Sequence, residues 1–206
     1  FWLIGCALLG LVFYFGVWQT QSDLSLNDHL RPQATFTVTY DQVTARKLEA
    51  QALEYAQSNW RDDAQLLSVM STWNKTELHL VGQPTAWTYR FYSPSVRRLL
   101  FVTITPEQEV IGTLHTERLY KATAPISLAD WQVDSPEAIS AWLNYGGNTL
   151  LSALPGLQVV AQLRIREQDS QLTWIVSGYD QASEHYYSVF IDANNQEIIE
   201  VKSSLQ

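Results

Sequence analysis

The residues most able to carry out chemistry are spread thinly along the chain. The four histidines are His29, His79, His115 and His185, and no two of them are three or four positions apart. A helix that binds a metal through two histidines needs that separation, because it brings both rings to one face. We therefore predict no metal site, and we interpret the histidines as surface or ordinary core residues.

Nucleophilic and cofactor chemistry is not indicated either. The one cysteine, Cys6, lies in an uncharged stretch and has no second cysteine to pair with. The sequence contains no Gly-x-Ser-x-Gly, Walker, dinucleotide-binding or haem-attachment motif, and no pattern places a serine beside a histidine and an aspartate. We predict that the protein is not an enzyme and that it binds no cofactor.

The charge balance argues against a nucleic-acid partner. The 206 residues include 13 Lys and Arg against 21 Asp and Glu, which gives a net charge of −8. Binding to phosphates needs a concentrated basic face, and the basic clusters here are short. The eight Trp and ten Tyr are the remaining signal, and their positions direct attention to the elements that hold them.

A helix and four strands are predicted in the second half of the chain. Asp134-Ser135-Pro136 is typical of a helix start, since Asp or Ser can cap the first turn and Pro fits within it. The helix softens at two adjacent glycines and ends at Pro155. Runs rich in β-branched and aromatic residues follow at 157–166, 172–179, 185–191 and 197–201. Their short polar turns predict an antiparallel meander, one face of which the helix covers.

An earlier segment follows the same order. Trp87 and Tyr92 are five residues apart, as are Trp174 and Tyr179, and each pair precedes an apolar strand and a polar turn. A helical pattern at 42–60 and a strand pattern at 64–73 complete the earlier copy. We predict two homologous units at 41–113 and 134–206, joined by a linker at 114–133, with these four aromatic residues in equivalent core positions.

The second unit resembles the PepSY-like domains of bacterial envelope proteins. The resemblance is carried by the Asp134-Ser-Pro-Glu-Ala start, the Gly146-Gly147 break, the strand of Trp174 and the hairpin at 190–198. The chain has Asn195-Gln196 where that family usually has Thr-Gly. The resemblance implies an extracytoplasmic binding or regulatory module, sometimes attached to peptidases, and it brings no shared catalytic residues.

The first 18 residues predict a membrane anchor. They include no charged residue, and a helix of that length spans about 27 Å, close to the bilayer core. Trp2 and Trp18 would lie at the two interfaces, and Cys6 with Gly10 would permit close packing on another membrane helix. Residues 19–30 carry no Lys or Arg, which predicts a single-pass protein of the cell membrane with its bulk on the extracytoplasmic side. Residues 19–40 would form a stalk with a possible extra strand.

Three other interpretations of the first residues remain open. A cleavable signal peptide would have a shorter apolar region and a small-residue cleavage site. A lipoprotein processing box is suggested by Leu3-Ile4-Gly5-Cys6, although apolar residues continue after the cysteine. A type IV pilin also begins with Phe and an apolar helix, but it usually has Glu where this chain has Gly5.

Together these patterns predict an α+β protein with one transmembrane helix followed by two tandem PepSY-like units, each a helix packed on an antiparallel β-meander. We expect a non-catalytic protein-binding module that acts as an accessory or structural subunit of a larger membrane complex. Its partners would be the bilayer and other subunits of that complex. The alternative is a PepSY-type regulator or inhibitor of an envelope peptidase.

Overall fold

The computed structural model describes residues 43–73, 85–119, 124–154 and 157–204. Its helices are α1 (Glu49–Asn59), α2 (Ser135–Trp142) and α3 (Asn148–Ala153), and a π-helical turn at Leu143–Gly147 joins the last two. The eight strands are β1 (Gln65–Trp73), β2 (Trp87–Ser93), β3 (Arg98–Ile104), β4 (Val110–Leu114), β5 (Gln158–Ile165), β6 (Leu172–Asp180), β7 (His185–Asp192) and β8 (Ile198–Ser203).

Helix α2 begins where its capping residues predict. The Asp134 side chain accepts a hydrogen bond from the backbone N–H of Ser135 (2.6 Å) and another from the backbone N–H of Arg46 (2.9 Å). The second bond fixes the start of α2 against the segment that leads into α1. A single carboxylate therefore caps a helix and joins the two halves of the chain.

The predicted soft point of the helix is a real interruption. Gly146 has a φ of 118°, a backbone conformation that side chains rarely adopt. A Cβ at Gly147 would lie 2.4 Å from the Trp142 ring. Glycine at both positions lets the backbone turn closely around this indole before α3 begins.

All eight strands belong to one antiparallel sheet, in the order β4-β3-β2-β1-β5-β6-β7-β8. The central pair is β1 with β5, in which Val69 lies opposite Leu163 and Trp73 lies opposite Val159. On each side of this pair the remaining strands follow as successive hairpins. The two predicted meanders therefore meet along their first strands.

The predicted fold class is wrong. The described part of the chain is mostly β, with short helices on one continuous sheet, and it does not form two α+β units that each have a separate sheet. In an isolated unit the first strand would be an edge, with a row of unpaired backbone N–H and C=O groups. Pairing β1 with β5 satisfies both rows, which explains why a single sheet is preferred. The domain boundaries remain a prediction.

The described helices pack against one face of the sheet. Helix α1 contacts β2, β3 and β4, whereas α2 contacts β5, β6 and β7. Strand β2 shows the resulting alternation, since Trp87, Tyr89 and Phe91 are fully buried and the residues between them are half-buried. We call the opposite face, which carries Met70, Arg90 and Arg164, the open face.

The predicted anchor and stalk precede the first described residue, Val43. The anchor residues Trp2, Cys6, Gly10 and Trp18 lie outside the described part of the chain, as does the predicted stalk at 19–40. Among the residues that are described, no helix has the length and apolar character needed to cross a bilayer.

Candidate interaction surfaces

The two tryptophans singled out from the sequence are both core residues. Trp87 and Trp174 are fully buried, on β2 and β6. The Trp87 indole N–H donates to the carbonyl of Val43 (3.0 Å), and the Trp174 indole N–H donates to the carbonyl of Val133 (2.8 Å). Each indole thus fastens the backbone just before a helix onto the sheet.

These tryptophans also form one continuous aromatic row. Trp87 makes edge-on contacts with Trp73 (centroids 5.8 Å apart) and with Trp174 (6.1 Å). Trp174 in turn contacts Trp131 in the same manner (6.2 Å). Because such pairs are favourable beyond their buried area, the row binds the first half of the chain to the second.

The two tyrosines of the predicted core are less buried than the tryptophans. Tyr92 is half-buried, and Tyr179 is 41% exposed on the open face. Tyr179 is therefore not a core residue, contrary to the prediction. The reason is strand alternation, since a residue five positions from a buried tryptophan points to the opposite face of a strand.

The histidines that the structure describes are not assembled into a metal site. His115 lies beside Phe101, with ring centroids 6.1 Å apart, and His185 begins β7. Within the described residues no group of three or more His, Cys, Asp or Glu could hold a metal ion.

A polar cleft of about 290 Å³ lies where the linker meets two strand turns. It contains the carboxylates of Asp130 and Asp192. The Asp192 side chain is already satisfied, because it accepts from the Gln171 amide (2.7 Å) and from the backbone N–H of Asn194 (2.8 Å). These bonds brace the turns and occupy the Asp192 carboxylate.

The two edge strands of the sheet differ in their charged residues. Strand β4 pairs with β3 and with no further described strand, and it contains no charged residue. Its Ile111 is 50% exposed and Leu114 is 44% exposed. A strand of this kind is an open template for another extended segment.

Strand β8, at the opposite edge, is protected. Its Glu200 and Lys202 form an ion pair (3.3 Å), and Arg166 also reaches Glu200 (3.5 Å). Charged side chains on an edge discourage the addition of another strand. Of the two edges, β4 is consequently the better candidate for binding.

This difference escaped the sequence-based prediction, although a signal for it was present. The run 110–116 has no charge and is rich in β-branched residues, whereas 197–202 alternates acidic, apolar and basic residues. The sequence alone does not indicate that these two runs form the outer edges of a single sheet.

The architecture defines a class: a mostly-β protein with one antiparallel sheet and helices on one face. No protein-family model matches the chain, and no curated protein sequence matches it. The fold is similar to the crystal structure of a putative lipoprotein from Clostridium difficile 630, with a TM-score of 0.50 and 10% sequence identity. That similarity covers 82% of this chain and 99% of the other. Because the identity is only 10%, the similarity shows a common fold and nothing about function.

Proposed function

We propose that this protein is a non-catalytic protein-binding module, anchored in the cell membrane and facing the extracytoplasmic side, where it serves as an accessory subunit of a larger complex. The observation that carries the proposal is the contrast between the two sheet edges. Strand β4 is uncharged and has two exposed aliphatic side chains, whereas β8 is occupied by its own ion pairs. The partner therefore supplies an extended segment that adds to β4.

Two further observations support an envelope location. The first 18 residues are uncharged, as in a membrane anchor. The similar structure from Clostridium difficile 630 is that of a putative lipoprotein. Both agree with the orientation predicted from the lack of Lys and Arg at 19–30.

A tandem duplication of a PepSY-like segment is part of the same proposal, with the strands of both copies sharing one sheet. Its support lies in details that recur in the two halves. The carbonyls of Val43 and Val133 each accept from a strand tryptophan. Gln108 (φ 66°) and Gln196 (φ 67°) both have a positive φ, in the turns before β4 and β8.

The test is recovery of the partner from native membranes. The full-length protein, extracted in mild detergent, should bring down a stoichiometric partner, and Ile111→Lys should abolish that recovery because it places a charge on the binding edge. The matched control is Ile199→Lys, which adds the same charge to β8. Recovery of the wild-type protein alone, or equal recovery with both variants, would refute the proposal.

A regulator or inhibitor of an envelope peptidase is the second candidate, because an exposed sheet edge such as that of β4 can also pair with an extended segment of a peptidase. The recovered partner decides between the two. A peptidase whose turnover slows when the purified chain is added would favour the regulator. A partner without peptidase activity would favour the accessory subunit.

A further inference from the structure

Two arginines lie in the middle of the open face. Arg90 on β2 and Arg164 on β5 are both in register with Ser68 of β1, the strand between them. Neighbouring strands are about 4.8 Å apart, so the two backbone positions are separated by roughly 10 Å. Arginine side chains are long enough to bring two guanidinium groups together over the small Ser68.

Neither arginine has a carboxylate partner among the described residues. The ion pairs there involve Arg166, which binds Asp169 and Glu200, and Lys202. Arg90 is half-buried, and its buried Nε has no hydrogen-bond acceptor within the part of the chain that the structure describes. An unsatisfied buried donor costs free energy, so the arrangement favours the arrival of an acceptor.

The two cations also repel one another. Burial lowers the pKa of the Arg90 guanidinium, and the positive charge of Arg164 lowers it further. Arginine nevertheless stays protonated at neutral pH, so both groups remain charged. In the free protein the two guanidinium groups therefore repel one another, and a bound anion would reduce this repulsion.

The surroundings indicate what kind of anion fits. The next row of the open face places Met70, which is 38% exposed, between Thr88 and Gln162. A chain with a net charge of −8 repels free anions at long range. Effective binding thus needs short-range contacts beyond the charge, such as an apolar side chain packed on Met70.

We propose that Arg90 and Arg164 form a receptor for a carboxylate, carried by an acidic and partly apolar segment of a partner protein. Two planar guanidinium groups suit a carboxylate because they can offer paired N–H donors to its two oxygens. The inference deepens the proposed function and rests on it for the identity of the partner. It places a second contact at the centre of the sheet, on strands two to four positions away from β4.

The experiment uses the purified full-length protein in detergent and a fluorescent peptide of alternating Glu and Leu. A peptide with Gln in place of Glu is the neutral control, and vesicles containing phosphatidylglycerol test a phosphate source. We expect the Glu peptide to bind and Arg90→Gln/Arg164→Gln to weaken that binding by about tenfold or more. Arg61→Gln, which neutralises an exposed arginine just after α1, should leave the binding unchanged.

Thermal midpoints provide a second measurement that does not depend on the affinity assay. The Glu peptide should raise the midpoint of the wild-type protein but not that of the double variant. Without peptide, the double variant should be at least as stable as the wild type, because it loses a repulsion.

Three outcomes would overturn the inference: equal binding of the Glu and Gln peptides, unchanged binding by the double variant, or arginine-dependent binding to the vesicles alone. Each is measured on the purified chain without the native partner. A failure here with intact recovery through β4 leaves the proposed function standing. Arginine-dependent peptide binding without any recovered partner would support the carboxylate site and refute the proposed function.

Discussion

At the scale of single residues, buried and half-buried polar side chains define how the segments are held together. Asp134 binds the backbone of both Ser135 and Arg46. Asp63 plays a comparable part in the first half, since it accepts from the Ser93 hydroxyl (2.6 Å) and from the backbone N–H of Ser95 (2.9 Å). These carboxylates act as braces between segments that are distant in sequence.

The Asp63 brace leads to a prediction about pH. The hydrogen bond from Ser93 lowers the pKa of the Asp63 carboxyl below its usual value of 3.8. A group whose pKa is lower in the folded state stabilises the protein above its unfolded pKa, and this contribution is lost as pH falls through the folded pKa. Asp63→Asn should therefore destabilise the protein at pH 6, and the difference from wild type should shrink below about pH 4.

Urea midpoints at pH 6 and pH 3 measure this difference. Asp62→Asn is the matched control, because Asp62 is the exposed neighbour. A difference for Asp63→Asn that is the same at both pH values would contradict the assigned role.

At the scale of elements, the sequence predicted most strands and the start of α2 well. The prediction of strands at 172–179 and 185–191 is confirmed by β6 (Leu172–Asp180) and β7 (His185–Asp192). These elements are set by local patterns of alternation and turn residues. The pairing of β1 with β5 is set by contacts between residues almost a hundred positions apart, for which a single sequence holds no local signal.

The tryptophans allow the packing of elements to be tested. Trp87→Ala and Trp174→Ala should each lower the free energy of unfolding by about 3–5 kcal/mol, since each removes a fully buried ring. Trp87→Phe should cost less than Trp87→Ala, but it leaves the Val43 carbonyl without its donor. Trp60→Ala is the control, because Trp60 is partly buried at the margin of the core.

Chemical denaturation of these variants provides the comparison. A cost for Trp60→Ala as large as those of the two core variants would contradict the central position of the aromatic row.

At the scale of the whole molecule, the single sheet predicts cooperative unfolding. Leu163 is fully buried at the β1–β5 junction, opposite Val69. Leu163→Ala should lower the free energy of unfolding by about 2–5 kcal/mol, and the amides of β2 and β7 should lose hydrogen-exchange protection together. Two separate transitions, with only β7 affected, would show that the halves are independent.

The candidate binding surfaces also emerge only at this scale. The sequence predicted a protein-binding module, and the assembled sheet has, among its described strands, one uncharged edge and two central arginines that would suit that proposed task. Neither Ile111 nor Arg90 stands out in the sequence, because what distinguishes them is their place in the sheet. Ile111 lies on an edge, and Arg90 lies beside a second cation with no counter-ion among the described residues.

The most direct test of the central claim is photo-cross-linking in the native membrane. A photoreactive amino acid placed at position 111 on β4 should give a discrete adduct with a partner protein. The same amino acid at position 199 on β8 should give none, because the charged edge stays free. An adduct from position 199 alone, or no adduct from position 111, would contradict the account that β4 is the edge that binds.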